Sequence, residues 1–339
     1  MKSIHRGGFF EYYNLDVDNI LEIIKERTAS KVLIQIPEGF KRHAYELVDR
    51  LSSRTGSGVE IHIDASPGFG SCLLDLRVVE GYDLVVHIGH EQYPYWPPPK
   101  NVVFIDLQSK TRLSSDVTES LFTELRNLHA RRLAIYATAQ HKDLGDELIE
   151  SARTRGFDVL NKGQIVVFGC WFSDLDAIKN SVDAVMVIAG GRFHALGVGL
   201  RLGGGKEVVA VDPYMNTYKL LKEDIIKVLK IRLGKVVSSL DAFSWLLITG
   251  SAGQYRLGLI RELSRLITSS GGKYYVATAP YLTRDLLTNL DSDYIDSIVV
   301  TSCPRLAIED LHDYFKPVLT PGEAFMSLRK RLDPYVFPW

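Results

Sequence analysis

The feature that most constrains this chain is an alternation that recurs along its whole length: short β-branched runs separated by stretches of helical periodicity. The runs at 31–36 (KVLIQI), 59–63, 84–88 and 102–105 read as buried strands, with helices expected over 42–51 and 72–80. A second set lies at 132–136 (RLAIY), 164–167, 184–188 and 208–211, with a helix over 142–154 and others after Cys170 and Phe193. The third set is 245–248, 273–276 and 297–300, with a strongly periodic helix over 256–267. Strands that alternate with helices specify mostly parallel sheets covered by helices. A chain of 339 residues also exceeds what one hydrophobic core usually holds. The expected fold is therefore α/β: three similar units, 1–108, 109–220 and 221–339, arranged around a central site with pseudo-threefold symmetry.

Open α/β sheets bind ligands at the carboxyl ends of their strands, so the loops there carry the functional expectation. The loop after the first strand is Pro37-Glu38-Gly39 in the first unit, Thr138-Ala139-Gln140 in the second and Gly250-Ser251-Ala252-Gly253-Gln254 in the third. Cys72 and Cys170 follow the second strand of their units, and Cys303 follows the third strand of the last. The third-strand position carries His87-Ile88-Gly89-His90 and then Gly190-Gly191-Arg192-Phe193-His194 in the first two units. The three cysteines are the chain's whole complement and lie too far apart for a zinc knuckle or a CxxC pair. An odd number in a reducing compartment leaves metal binding, catalysis or burial. Core packing is the ordinary fate of such residues. Three thiolates gathered by folding would instead leave one iron of a four-iron cluster open to a substrate, and the strand-end position of each cysteine favours that reading.

Composition narrows the partners. A net charge of −1, with 46% hydrophobic and 24% charged residues, gives no reason to expect nucleic acid or an anionic membrane. No run approaches membrane-spanning length, and residues 1–13 lack the apolar core of a signal peptide, so the chain reads as cytoplasmic. Residues 68–73 lack the third glycine of a dinucleotide fingerprint, and 203–207 lack the Ser/Thr of a P-loop. Asp212-Pro213 reads as a turn, 94–99 (PYWPPP) as a rigid connection, and 335–339 (YVFPW) as a segment that docks on the body or on a second subunit.

The motifs DASPGFGSC (64–72), DLVVHIGH (83–90), GQIVVFGC (163–170), GGRFHALG (190–197), VDPY (211–214), GSAGQ (250–254) and SCPRLAIED (302–310) together resemble the 2-(3-amino-3-carboxypropyl)histidine synthase family of diphthamide biosynthesis. The resemblance spans about 37–317, and the compact length is similar to that of the archaeal catalytic subunits. It implies that Cys72, Cys170 and Cys303 hold a 4Fe-4S cluster whose unique iron binds S-adenosylmethionine. It further implies transfer of the 3-amino-3-carboxypropyl group to C2 of a histidine on elongation factor 2, a homodimeric state and an external electron donor. The absence of CxxxCxxC departs from the common radical-enzyme signature.

Around that centre, Gly250, Ser251 and Gln254 are expected to bind the cofactor, helped by backbone N–H groups at the following helix. The alternative for this loop is a tight strand-to-helix turn. His90, Arg192 and His194 are the catalytic candidates because the repeat places them in central loops. Arg305 would act on the cluster by its charge, or cap a helix. Two other functions fit three cysteines on three α/β units: a dehydratase similar to quinolinate synthase, and a noncatalytic electron-transfer or assembly subunit.

Overall fold

The computed structural model describes residues 8–66 and 70–339; residues 1–7 and 67–69, the latter inside the DASPGFGSC motif, lie outside the described residues. The chain divides into two compact units, one running up to Arg112 and including Ala139–Asp143, the other comprising Leu113–Thr138 and Leu144–Trp339.

The first unit contains α1 (Phe9–Tyr12), β1 (Tyr13–Leu15), α2 (Val17–Glu26), β2 (Lys31–Gln35), α3 (Ala44–Ser52), β3 (Glu60–Ile63), α4 (Leu76–Val79), β4 (Leu84–Ile88), β5 (Val102–Ile105) and β6 (Leu107–Ser109). Its main sheet is parallel, in the order β3-β2-β4-β5, while β1 and β6 pair antiparallel. All five residues of β4 are buried, as a central strand covered on both faces requires. The helix expected over 42–51 forms as a 3₁₀ segment, Glu38–His43, running into α3. The one expected over 72–80 shortens to α4, because Asp75 sits at the N-cap and accepts a hydrogen bond from Arg77 N. Cys72 therefore lies in a turn, outside any helix.

The second unit contains two sheets. Its first half has α5 (Ser115–Asn127), β7 (Arg132–Ala137), α6 (Lys142–Thr154), β8 (Asp158–Val159), α7 (Leu175–Ile178), β9 (Ala184–Ile188), α8 (Phe193–Arg201), β10 (Glu207–Asp212) and β11 (Thr217–Leu220). The strand order is β11-β10-β9-β7-β8, with β11 alone antiparallel to its neighbour. The strand expected over 164–167 is reduced to a single bridge between Val166 and Ala137, because the chain folds back at once between Phe168 and Trp171. Its second half has α9 (Lys222–Val237), β12 (Ser244–Thr249), α10 (Leu257–Ser269), β13 (Lys273–Thr278), α11 (Arg284–Leu290), β14 (Ser297–Val300), β15 (Val318–Leu319) and α12 (Pro321–Leu328), with a parallel sheet ordered β13-β12-β14-β15. The apolar tail docks as expected: Phe337 is buried and Trp339 stacks on Arg256, 3.6 Å from guanidinium to ring centroid.

One interaction repeats in all three sheets. Asp83, immediately before β4, accepts hydrogen bonds from Ser30 N and Lys31 N at the start of β2. Asp183 before β9 does the same for Arg131 N and Arg132 N, and Asp296 before β14 for Phe243 N and Ser244 N. Each carboxylate closes the amino end of a parallel strand pair by satisfying N–H groups the ladder leaves over. Hydrogen bonds hold all three below the ordinary aspartate pKa: for Asp83 chiefly from Ser30, for Asp183 chiefly from Arg132; for Asp296, burial pushes upward and the Ser244 bonds outweigh it. Among the described residues no helix is long and apolar enough to cross a membrane.

Candidate metal centre

All three cysteines are half-buried thiols outside any disulfide. Cys170 sits in a two-residue turn closed by Phe168 N to Trp171 O at 2.9 Å. Gly169 makes that turn possible, since a Cβ there would lie 2.1 Å from Cε1 of Phe193, the first residue of α8. Gly197, one turn further along α8, faces the carbonyl of Gly169. The Cys170 turn is thus seated on α8 by close approach of two backbones, for which glycine is required.

Cys303 stands just after β14, and its carbonyl accepts from Leu306 N at 3.1 Å. The chain then enters a π-helical turn, Leu306–Asp310. Arg232, buried on α9, fixes that turn by donating to Ala307 O at 2.8 Å while it forks onto Glu323 of α12 at 2.8 and 2.6 Å. Arg305 pairs with Glu309 at 3.3 Å and Asp310 at 3.8 Å, and its guanidinium stands 5.9 Å from the ring centroid of Phe193. The segments that follow Cys303 and brace Cys170 therefore meet at Phe193, His194 and Arg305. Burial first, and then the positive charge of Arg305, push the His194 pKa down to about 4. His194 is therefore neutral at neutral pH. Arg192 does not join this group: its residue is exposed at the N-cap of α8, and its charge acts on Asp224.

The loop after β12 is a tight turn. Ala252–Gln254 is a single 3₁₀ turn, and Gln254 is buried with its side chain folded over Gly250. A Cβ on Gly250 would lie 2.8 Å from Gln254 Oε1 and 3.1 Å from Ser302 Cβ. The expected cofactor loop and the residue preceding Cys303 are therefore in contact, with Ser251 half-buried beside them.

In the first unit His90 heads a hydrogen-bonded chain that sequence reading missed. His90 Nδ1 lies 3.1 Å from His87 Nε2, His87 Nδ1 lies 3.0 Å from Gln35 Oε1, and Gln35 Nε2 donates to Asp64 at 2.8 Å. The available signal was a histidine, His87, inside a strand otherwise made only of buried aliphatics.

These residues suit an iron-sulfur cluster. Each cysteine lies outside helix and strand, and two buried hydroxyls have no hydrogen-bond partner: Ser71 Oγ, next to Cys72, and Thr249 Oγ1, at the head of the Gly250 loop. An unsatisfied buried hydroxyl costs roughly 1–3 kcal/mol, which a bound group offering sulfur or oxygen acceptors offsets. Among the described residues no three His, Cys, Asp or Glu side chains converge on a single ion. A four-iron cluster does not require that, because each thiolate binds a different iron.

The 2-(3-amino-3-carboxypropyl)histidine synthase of Pyrococcus horikoshii is 26% identical over 329 residues, covering 94% of this chain and 92% of that protein. The protein of that name from Methanocaldococcus jannaschii is 23% identical over 94% of this chain and 90% of its own length. The crystal structure of Dph2 from Pyrococcus horikoshii with a 4Fe-4S cluster superposes with a TM-score of 0.79 at 26% identity, covering 94% of this chain and 91% of that one. The three parallel-sheet α/β units described above match that structure. With the family model for diphthamide synthesis proteins matching residues 36–336, the chain belongs to the diphthamide synthesis protein family.

Proposed function

We propose that the protein is a 2-(3-amino-3-carboxypropyl)histidine synthase, the transferase of the first step of diphthamide biosynthesis, with elongation factor 2 as its substrate. The observation that carries this reading is full-length similarity to archaeal synthases together with a 4Fe-4S-containing structural relative. When bound, the reduced cluster supplies the electron and the open iron with which S-adenosylmethionine is cleaved between sulfur and its γ-carbon. Cys72, Cys170 and Cys303 are the proposed ligands, one from each of the units 1–108, 109–220 and 221–339. Gly250, Ser251 and Gln254 form the proposed cofactor wall, where the absence of a Cβ at Gly250 admits the Gln254 amide. His194 offers a neutral imidazole, and Arg305 a positive charge near it and Phe193. The reaction draws on an external electron donor and proceeds in the cytoplasm, where its substrate works. A homodimer completes the proposal, with the exposed edge of β13 as its contact.

Anaerobic protein given dithionite, S-adenosylmethionine and elongation factor 2 is expected to release 5′-methylthioadenosine and add one 3-amino-3-carboxypropyl group to a histidine. Cys72→Ser, Cys170→Ser and Cys303→Ser should each lose both the reaction and the cluster's absorption. Dominant 5′-deoxyadenosine, or full cluster content in all three variants, would refute the reading.

A further inference from the structure

The segment 335–339 forms neither helix nor strand, yet every one of its residues is held by a specific contact. Tyr335 donates to Glu323 of α12 at 2.6 Å, and Val336 N donates to the sulfur of Met326 at 3.2 Å. Pro338 O accepts from Gly322 N at 2.9 Å, and a Cβ on Gly322 would lie 2.5 Å from Val336 O, so the segment presses on the first turn of α12. Phe337 enters the core beneath the second sheet. Its ring lies 6.3 Å from that of Phe172, two residues past Cys170, and its carbonyl accepts from Arg201 of α8 at 2.6 Å. Irregular segments usually run loosely over a surface. Burial of one aromatic ring would have needed Phe337 alone; the polar contacts on either side of it fix the direction of the segment as well.

What that anchoring presents is Trp339, whose ring lies under the guanidinium of Arg256 at 3.6 Å. Arg256 is the N-cap of α10 and stands two residues after Gln254. A helix start is usually fixed by a Ser, Thr, Asp or Asn side chain at this position and favoured by acidic residues in the first turn. α10 has neither, because the Arg256 side chain caps no N–H and the first turn holds no acid. A cation at this end is also opposed by the helix dipole. The face of an indole ring offsets that charge and holds the side chain in one place. A local rule is thus broken at Arg256, and the compensation comes from a distant part of the sequence. The loop before it is bonded internally, with Gln254 N donating to Ser251 O at 2.9 Å and Tyr255 N to Ala252 O at 3.0 Å. Its exit into α10 is where Trp339 acts.

We propose that Trp339 is a positioning residue of the transfer reaction, which through Arg256 holds the Gln254 loop in the shape that binds S-adenosylmethionine. The proposal rests on the function given above and on that loop as the cofactor wall. The same segment is braced on Phe172 and on α8, where a Cβ on Gly197 would lie 3.4 Å from the Phe172 ring and 3.3 Å from Gly169 O. The loop that grips the cofactor and the turn that carries Cys170 therefore share one brace. A site whose parts come from distant loops needs such support, because its geometry is only as exact as the residues that lock it. Contacts from this loop are made alike before and during bond breaking, so loosening it raises KM for S-adenosylmethionine and leaves kcat unchanged.

Calorimetry of S-adenosylmethionine binding to the anaerobic, cluster-loaded protein reads the effect without turnover. Trp339→Leu keeps an apolar side chain but removes the ring, and is expected to weaken binding about fivefold, the order of effect a cation–π contact carries. Trp339→Tyr restores a π face and should bind within about twofold of the parent. Iron content and the urea midpoint should match the parent in both. Arg256→Gln, which leaves the 335–339 segment intact, should also weaken binding, and adding Trp339→Leu to it should weaken it no further, since the two side chains act as one unit. In turnover Trp339→Leu should raise KM for S-adenosylmethionine at an unchanged kcat. Parent-like affinity in Trp339→Leu or in Arg256→Gln overturns this proposal alone, as does an affinity loss that follows lost iron or effects of the two substitutions that simply add. A parent that holds the cluster and binds no S-adenosylmethionine overturns the functional reading and this proposal together.

Discussion

Gly169 and His194 show how single residues tune this protein. The ring of Phe193 occupies the space a side chain at Gly169 would need, so the shape of the Cys170 turn is set by an aromatic residue from α8. His194, its neighbour in sequence, has a folded pKa of about 4, held down by burial and by Arg305. The unfolded value is about 6.5. Between those values the unfolded chain binds a proton that the folded protein refuses, so stability must fall as the pH drops through that window. His194→Gln should flatten this part of the profile. Urea midpoints at about pH 7 and about pH 5 measure it; an equal drop in variant and parent would show that His194 is not the group responsible.

At the scale of elements, the helices hold the loops more than the sheets do. Arg232 on α9 joins α12 through Glu323, the π turn through Ala307 O and β15 through Val318 O at 2.6 Å. Glu323 also completes the capping box of α12 with Thr320 and accepts from Tyr335 of the C-terminal tail at 2.6 Å. Both charged side chains are buried, so removing one strands the other. Arg232→Met should cost about 3–5 kcal/mol in denaturant unfolding, and pairing it with Glu323→Leu should recover part of that loss. A cost below about 1 kcal/mol would mean that water reaches Glu323 and takes over the role of the guanidinium.

At the scale of the whole molecule, the third sheet ends in an unprotected edge. Tyr274, Tyr275 and Val276 of β13 are 42%, 49% and 48% exposed, and successive residues face opposite sides of the sheet. Natural edges are usually blunted by charge, proline or a covering segment, and an apolar edge like this one suits a second copy of the chain. If the proposed dimer forms through this edge, Tyr275→Lys should convert it to a monomer in light scattering without changing the circular dichroism spectrum. A parent protein that is already monomeric, or a variant that stays dimeric, would remove β13 from the interface.

The main strands and their mostly parallel pairing follow from the pattern of residues alone, because an aliphatic run flanked by helical periodicity has few other ways to bury both faces. Leu84–Ile88, Ala184–Ile188 and Ser297–Val300 fall where the pattern puts them. The family was legible too, in loop motifs whose glycines and cysteines are dictated locally. The pattern failed where contacts between distant residues override local preference: the strand expected at 164–167 gave way to the Cys170 turn, and the helix expected at 72–80 started late at the Asp75 cap. The repeated clamps of Asp83, Asp183 and Asp296 are visible in the sequence only as acidic residues ahead of apolar runs; their meaning depends on backbone N–H groups some fifty residues away. Only the tertiary structure set Arg192 apart in solvent, joined Arg305 to Phe193 and His194, and linked His90 through His87 and Gln35 to Asp64. The physical reason is the same in each case: a hydrogen bond or a charge acts over a few ångströms in space, and the folded chain, not the order of its residues, decides which groups come that close.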